Sequence, residues 1–248
     1  MVSQRLAIEG GVPIRTRNWP KWPSIDDLTI EELVKQLRNN RWAISGAYDN
    51  EVLWNQRFEE SFAAFNNSKY CVATASGSSA LISGLEAIGV GYGDEVIIPG
   101  LTWVADAAAV LSVNAKPILA DCNPKTFCID KESIDKVIAK NTRAIIAVHL
   151  YSSLCNLDSL ADYASRGIAL LEDCSHVHGA KYRNVGIGNY GLFGAFSMQQ
   201  TKVLTSGEGG CLVTNDYELY QKMQQARADG RTFNPEKKLV DSLIFCFT

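Results

Sequence analysis

Between residues 70 and 214 the chain alternates seven short apolar runs with segments long enough for helices, and no other feature restricts its fold so strongly. The runs are 70–75, 95–99, 117–120, 144–150, 169–172, 193–197 and 211–214. Helical segments are expected at 78–88, 104–112, 133–139, 157–165 and 217–228. A strand that is apolar along its whole length has to be covered on both faces. Helices between successive strands provide that cover and return the chain to the same end of the sheet. The pattern therefore predicts an α/β domain with a mostly parallel seven-stranded sheet and helices on both faces. Ligands of such doubly wound domains lie at the carboxyl ends of the strands.

The flanks are different in character. Residues 1–30 contain Gly10-Gly11, three prolines and the run Trp19-Pro-Lys-Trp22-Pro, without sustained periodicity, and are expected to form an extended arm. A helical segment is expected over 31–68, its first helix signal being TIEELVKQLRNN with Thr29 as N-cap and acidic residues in the first turn. The α/β domain then occupies 69–232, and 233–248 is expected to be a truncated tail, apolar from Leu239.

With 46% hydrophobic and 21% charged residues the chain can bury a sizeable core. A net charge of −3, with no basic stripe, argues against nucleic acid or an anionic membrane as partner. Seven cysteines, odd in number and mostly within apolar runs, form no Cys-x-x-Cys pair, as expected of reduced residues in a cytoplasmic protein. No stretch approaches the length of a membrane span, and MVSQRLAIEGG lacks a signal-peptide core.

Three segments bear on chemistry. Ser76-Gly77-Ser78-Ser79-Ala80-Leu81 follows the first strand and opens a helix, where backbone N–H groups and the helix dipole would cup a phosphate. An ordinary N-cap would look the same. Glu172-Asp173 ends the strand IALLED, and a carboxylate at that edge requires a cationic or hydrogen-bonding partner, unless it caps the next helix. A pyridinium nitrogen would serve as that partner. Finally, Phe196-Ser197-Met198-Gln199-Gln200-Thr201-Lys202 leaves a strand just before Ser206-Gly207-Glu208-Gly209-Gly210. Lysine is the side chain with a primary amine for imine formation, and burial favours its reactive neutral form. Singly, a surface lysine and a hairpin turn explain that segment as well. In this order, however, phosphate cup, carboxylate and strand-end lysine are what one bound pyridoxal 5'-phosphate requires.

The run EDCSHVHGAKYRNVGIGNYGLFGAFSMQQTKVLTSGEGGCLVTND resembles the DegT/DnrJ/EryC1/StrS family, sugar and cyclitol aminotransferases of the aspartate-aminotransferase superfold, and the resemblance extends over 6–231. It implies a type I pyridoxal-phosphate transferase large domain whose small C-terminal domain is missing from this chain. Residue by residue, it makes Lys202 the imine-forming lysine and proton-transfer base, and Asp173 the partner of the pyridine nitrogen. Gly77, Ser78, Ser79 and Ser197 match the phosphate-binding positions, and Trp103 matches the aromatic that stacks on the cofactor ring, although a core tryptophan is the plain alternative. Many members read Glu-Asp-Ala-Ala-Gln where this chain has Glu172-Asp173-Cys174-Ser175-His176. His176 thus stands where a glutamine lies near the cofactor's O3′, whereas His178 is expected to be structural.

The wording EDCSHVHGA and FSMQQTKVLTSGEGG is most similar to the branch that aminates 2-deoxy-scyllo-inosose or scyllo-inosose with nitrogen from L-glutamine, in aminocyclitol biosynthesis. The implied partners are a small-molecule amino donor and a keto-cyclitol or keto-sugar acceptor, in a cytoplasmic homodimer without a metal. An aminotransferase for a nucleotide-linked keto-sugar and a truncated, non-catalytic fragment remain open. A generic nucleotide-binding domain is disfavoured, because neither Gly-x-Gly-x-x-Gly nor a Walker lysine accompanies Ser76–Ser79.

Overall fold

The structure, a computed structural model, describes residues 5–39, 42, 44, 53–228 and 230. It divides into two compact units, Met1–Ala43 and Ile44–Thr248. The truncated tail expected at 233–248 lies outside the described residues.

In the first unit a single 3-10 turn, Ala7–Glu9, precedes helix α1, Asp27–Arg38. The helix starts earlier than its sequence suggests, because Asp26 and not Thr29 is the N-cap. The Asp26 carboxylate accepts the Thr29 N–H at 2.8 Å and the Thr29 hydroxyl at 2.6 Å. It also sets a negative charge at the positive end of the helix, which a threonine cap would not do.

The second unit opens with α2, Trp54–Asn66, which ends at Asn67 in the left-handed region (φ 55°). Then come β1 (Tyr70–Thr74), α3 (Gly77–Ala87), β2 (Glu95–Pro99), α4 (Ala105–Ser112), β3 (Lys116–Ala120), α5 (Lys131–Asp135) and β4 (Thr142–Val148). They are followed by α6 (Leu157–Leu160), α7 (Asp162–Ser165), β5 (Ala169–Asp173), β6 (Lys181–Tyr182), β7 (Val185–Gly186), β8 (Phe193–Ser197), β9 (Gly210–Thr214) and α8 (Tyr217–Arg227). All seven apolar runs are strands of one sheet, ordered β1-β9-β8-β5-β4-β2-β3. Strands β3, β2, β4, β5 and β8 are parallel, and β9 runs antiparallel between β8 and β1.

Neighbouring residues along each strand feed opposite faces, which is why the runs are apolar throughout. Ile97, Ile145 and Phe196 pack with Phe62 and Tyr163 on one side. Ile98, Ile146 and Phe193 pack with Leu85, Val110 and Leu212 on the other.

Three local expectations change. The helix expected at 133–139 is the single turn and a half of α5, started by Asp130, whose carboxylate accepts the Ser133 N–H. The segment 157–165 is two short helices, α6 and α7, with Ala161 at the break. Strand β4 stops at Val148, because Tyr151 and Ser152 enter the left-handed region (φ 50° and 69°). An additional hairpin joins β6 to β7 through Arg183 and Asn184, both with positive φ (46° and 67°), as a two-residue turn requires.

The functional consequence is directional. Strand β1 runs the same way as the parallel set, so the loops after β1, β2, β4, β5 and β8 all leave from one edge of the sheet.

Candidate active site

Helix α3 begins at that edge with a reciprocal cap. Ser76 Oγ accepts the Ser79 N–H at 3.0 Å, and Ser79 Oγ accepts the Ser76 N–H at 2.8 Å while donating to the Ser76 carbonyl at 2.9 Å. The Ser79 hydroxyl is thereby engaged in the cap. The half-buried Ser78 hydroxyl makes no hydrogen bond among the described residues, and the first-turn N–H groups of Gly77 and Ser78 have no partner within the helix. Gly77 abuts the end of β8: a Cβ there would lie 2.7 Å from Ser197 Cβ. Ser78, Ser197 and the helix start are thus brought to one place.

The two acids at the end of β5 separate by strand alternation. Glu172, fully buried, accepts four hydrogen bonds: from His149 Nε2 at 3.1 Å, Gly188 N–H at 2.9 Å, and Tyr190 and Gly191 N–H at 2.8 Å each. His149 Nδ1 accepts the Cys155 N–H at 3.1 Å, so its proton is on Nε2. Although His149, Glu172 and Cys174 cluster tightly enough to suggest a metal site, both imidazole nitrogens and the carboxylate are already committed. Glu172 is a structural clasp. Asp173, only 8% exposed, accepts just the Ser175 N–H at 2.9 Å among the described residues.

Lys202 sits in the loop between β8 and β9. This loop is fastened at its base by Met198 N–H to the Gly209 carbonyl (2.8 Å), Ser206 N–H to the Met198 carbonyl (3.0 Å) and the Thr205 hydroxyl to the same carbonyl (3.1 Å). Gly207 turns through φ 84°, where a side chain would be strained. Burial lowers the basicity of the half-buried Lys202 amine, against the opposing pull of Asp173. That Asp173 acts on Lys202 places the two side chains in one electrostatic neighbourhood.

His176 belongs to the same neighbourhood. Burial, followed by the Lys202 charge, holds its imidazole below the usual range, so it is neutral near pH 7. Its Nδ1 accepts the Tyr151 N–H at 3.2 Å, which leaves the hydrogen on Nε2, and the Tyr151 ring stacks on it at 5.5 Å. Trp103 precedes α4 at the same edge and is 73% exposed, so it is not a core tryptophan. His178 packs against Phe196, yet both its ring nitrogens are buried without a hydrogen-bond partner among the described residues.

Two contributors are absent from the sequence-based set. Asp106, in the first turn of α4, is completely buried, and Tyr151 holds His176. Asp106 had a signal, a lone charge in the apolar segment ADAAAVLS. Tyr151 had none, since its backbone N–H makes the contact.

The model of the DegT/DnrJ/EryC1/StrS aminotransferase family matches residues 23–245. The chain belongs to this family. It is 47% identical over 239 residues to L-glutamine:2-deoxy-scyllo-inosose aminotransferase of Micromonospora echinospora, covering 96% of this chain and 57% of that protein. The chain therefore spans little more than half the length of the curated relatives it matches. Its fold superposes on the aminotransferase from Psychrobacter cryohalolentis with a TM-score of 0.80 and 32% identity, over 87% of this chain and 54% of the other. It also matches NtdA from Bacillus subtilis with bound cofactor PMP, with a TM-score of 0.75 and 30% identity, over 84% and 46% of the two chains. Within this family the sheet edge just described is the place to test for a phosphorylated pyridine cofactor. The free first-turn N–H groups of Gly77 and Ser78 and the unbonded Ser78 hydroxyl fit the phosphate of such a group.

Proposed function

We propose that this chain is the cofactor-binding part of an aminotransferase that holds pyridoxal 5'-phosphate on Lys202 and moves an amino group from L-glutamine to a keto-cyclitol such as 2-deoxy-scyllo-inosose or scyllo-inosose. The observation that carries this reading is that the start of α3, Asp173 at the end of β5 and the Lys202 loop after β8 all lie at one edge of the sheet. The name of the Micromonospora relative supports the donor and acceptor.

The residues fit the group. Ser78, Ser197 and the N–H groups of Gly77 and Ser78 would take the phosphate, Ser79 keeping the helix start in shape. Asp173 would pair with the ring nitrogen and keep it protonated, Trp103 would cover the ring, and His176 would donate from Nε2 to the ring oxygen. Bound there, pyridoxal phosphate would supply the electron sink that lets an amino group leave a donor and pass to a ketone. Lys202 would hold the group through its amine. Its free amine would take the proton from the donor α-carbon. Its lowered basicity keeps the neutral, proton-accepting form more populated than for a solvated lysine. In the second half the same amine moves a proton at the acceptor carbon, giving ping-pong kinetics.

A homodimer in the cytoplasm is part of the same proposal. The supporting facts are large exposed apolar side chains at the site edge, Trp103 and Tyr151 among them, and six free cysteines among the described residues. No helix among the described residues is long and apolar enough to cross a membrane.

The deciding experiment adds pyridoxal phosphate to wild type and to Lys202→Ala, reduces both with borohydride and maps the labelled peptide. Label on Lys202 of wild type alone is expected. No label on wild type, or equal label on both, would overturn the assignment. Transfer from L-glutamine to scyllo-inosose, compared with a nucleotide-linked keto-sugar, then tests the acceptor.

A further inference from the structure

His149 leaves the end of β4 completely buried, so each nitrogen of its ring needs a partner. Nε2 donates to Glu172, which three backbone N–H groups also hold, and Nδ1 accepts the Cys155 N–H at 3.1 Å. The His149 N–H donates to the Asp173 carbonyl at 3.1 Å. The imidazole is thus fixed against β5 and closes the mouth of the segment 150–154. Ser153 N–H to the Leu150 carbonyl (2.9 Å) and the Cys155 thiol to the Val148 carbonyl (3.2 Å) tighten the same loop. Closed over so few residues, the chain passes through the left-handed region at both Tyr151 and Ser152, which non-glycine residues do only where their surroundings dictate it.

The outer side of this loop meets His176. Tyr151 N–H donates to His176 Nδ1 at 3.2 Å, the Ser152 hydroxyl donates to the His176 carbonyl at 3.4 Å, and the Tyr151 ring lies 14° from parallel to the imidazole. Two imidazoles therefore hold one loop, each through an Nδ1 that accepts a backbone N–H. They differ in freedom. His149 is bonded through both nitrogens, whereas the ring of the half-buried His176 has, among the described residues, the Tyr151 bond alone. We propose that His149 is a positioning residue that sets the tautomer and orientation of His176 through the loop 150–155. Closure onto His149 presents the Tyr151 N–H, and that N–H keeps the His176 proton on Nε2. His149 acts through the loop and not by contact with the cofactor. Its value to the reaction rests on the function proposed above, in which His176 Nε2 donates to the cofactor's ring oxygen.

Two substitutions separate the bonds of His149. His149→Asn sets an acceptor where Nδ1 stands and keeps the Cys155 bond but cannot reach Glu172; His149→Gln reaches Glu172 with its amide and offers nothing to Cys155. The chain has three histidines, His149, His176 and His178, so nitrogen NMR of the labelled, cofactor-free chain resolves His176, assigned with His176→Ala. A single Nε2–H tautomer is expected in wild type and His149→Asn, and shifts averaged toward mixed tautomers in His149→Gln. Wild-type shifts in His149→Gln, or the same change in both variants, would overturn the proposal. Wild type alone gives a check that needs no folded variant: His149 must itself be the Nε2–H form, and an Nδ1–H signal there sinks the idea. Pyridoxal phosphate titrations then test its purpose. His149→Gln should bind about 2- to 10-fold more weakly than His149→Asn, the size of one hydrogen bond, and the difference should vanish in a His176→Ala background. A difference that persists there is a general structural effect and overturns the positioning role. If the nitrogen shifts behave as expected but the two variants bind equally with His176 present, the positioning of His176 stands and its assignment to the ring oxygen fails.

Discussion

A Cβ built on Gly77 would stand 2.7 Å from Cβ of Ser197 and 3.0 Å from its Cα, so the first turn of α3 rests directly on the end of β8. Gly77→Ala must force the two apart. A destabilisation of about 1–3 kcal/mol is expected, typical of overpacking. Urea unfolding should record it, together with weaker pyridoxal phosphate binding, because Ser78 and Ser197 would no longer converge.

Glu172→Gln should be more damaging than its isosteric size suggests. Four donors converge on the carboxylate, and an amide nitrogen would turn two hydrogen-bond donors toward one or more N–H groups. The expected cost is about 3 kcal/mol, since buried partners of a charged group are left unsatisfied. Thermal melts would show this with or without cofactor, which separates the clasp from the neighbouring Asp173.

Asp106→Asn should stabilise the chain in a pH-dependent manner. The folded-state pKa of Asp106 is raised above its ordinary 3.8, so the native state holds a proton that the unfolded state has released. Wild type therefore loses stability as pH rises from about 4 toward the folded pKa, by about 1.4 kcal/mol for each pH unit crossed in that window. The Asn variant lacks this penalty. Urea midpoints measured across acid to neutral pH should show its advantage over wild type growing with pH, and a constant difference would contradict the raised pKa.

His176 carries the opposite sign. Its folded pKa is lowered, chiefly by burial and then by Lys202, so its contribution is intact above the ordinary 6.5 and is lost as pH falls through the folded value. His176→Gln should flatten that part of the acid limb of the stability profile. Nitrogen NMR of labelled histidine should find the Nε2–H tautomer, fixed by the Tyr151 N–H.

The sheet was legible in sequence because every strand is buried on both faces, so each run is apolar without interruption, as in Ile97-Ile98 and Ile145-Ile146. Helix ends were less legible because they depend on single caps: Asp26 outcompetes Thr29, and Asp130 opens a helix that stops after Asp135. The two-residue strands β6 and β7 are too short for any periodicity to register. At the site, order along the chain pointed to Ser78, Asp173 and Lys202 as one set, the grouping proposed above. It could not divide labour between the adjacent Glu172 and Asp173, which strand alternation assigns to a clasp and to the site edge.

The placement of β9 between β1 and β8 has a consequence for biogenesis. Tyr70 pairs with Thr214, and among the described residues β1 has no other neighbour in the sheet. During synthesis β1 must therefore wait, its hydrogen-bonding edge open, until β9 emerges from the ribosome, a long-range closure that is slow and exposed to misassembly. A nascent chain arrested ahead of Gly210 would have the lysine arm and most of the parallel sheet, but no strand to join β1 to β8. Ribosome-bound intermediates of this protein should accordingly depend on chaperones up to that point and become protease-resistant soon after it.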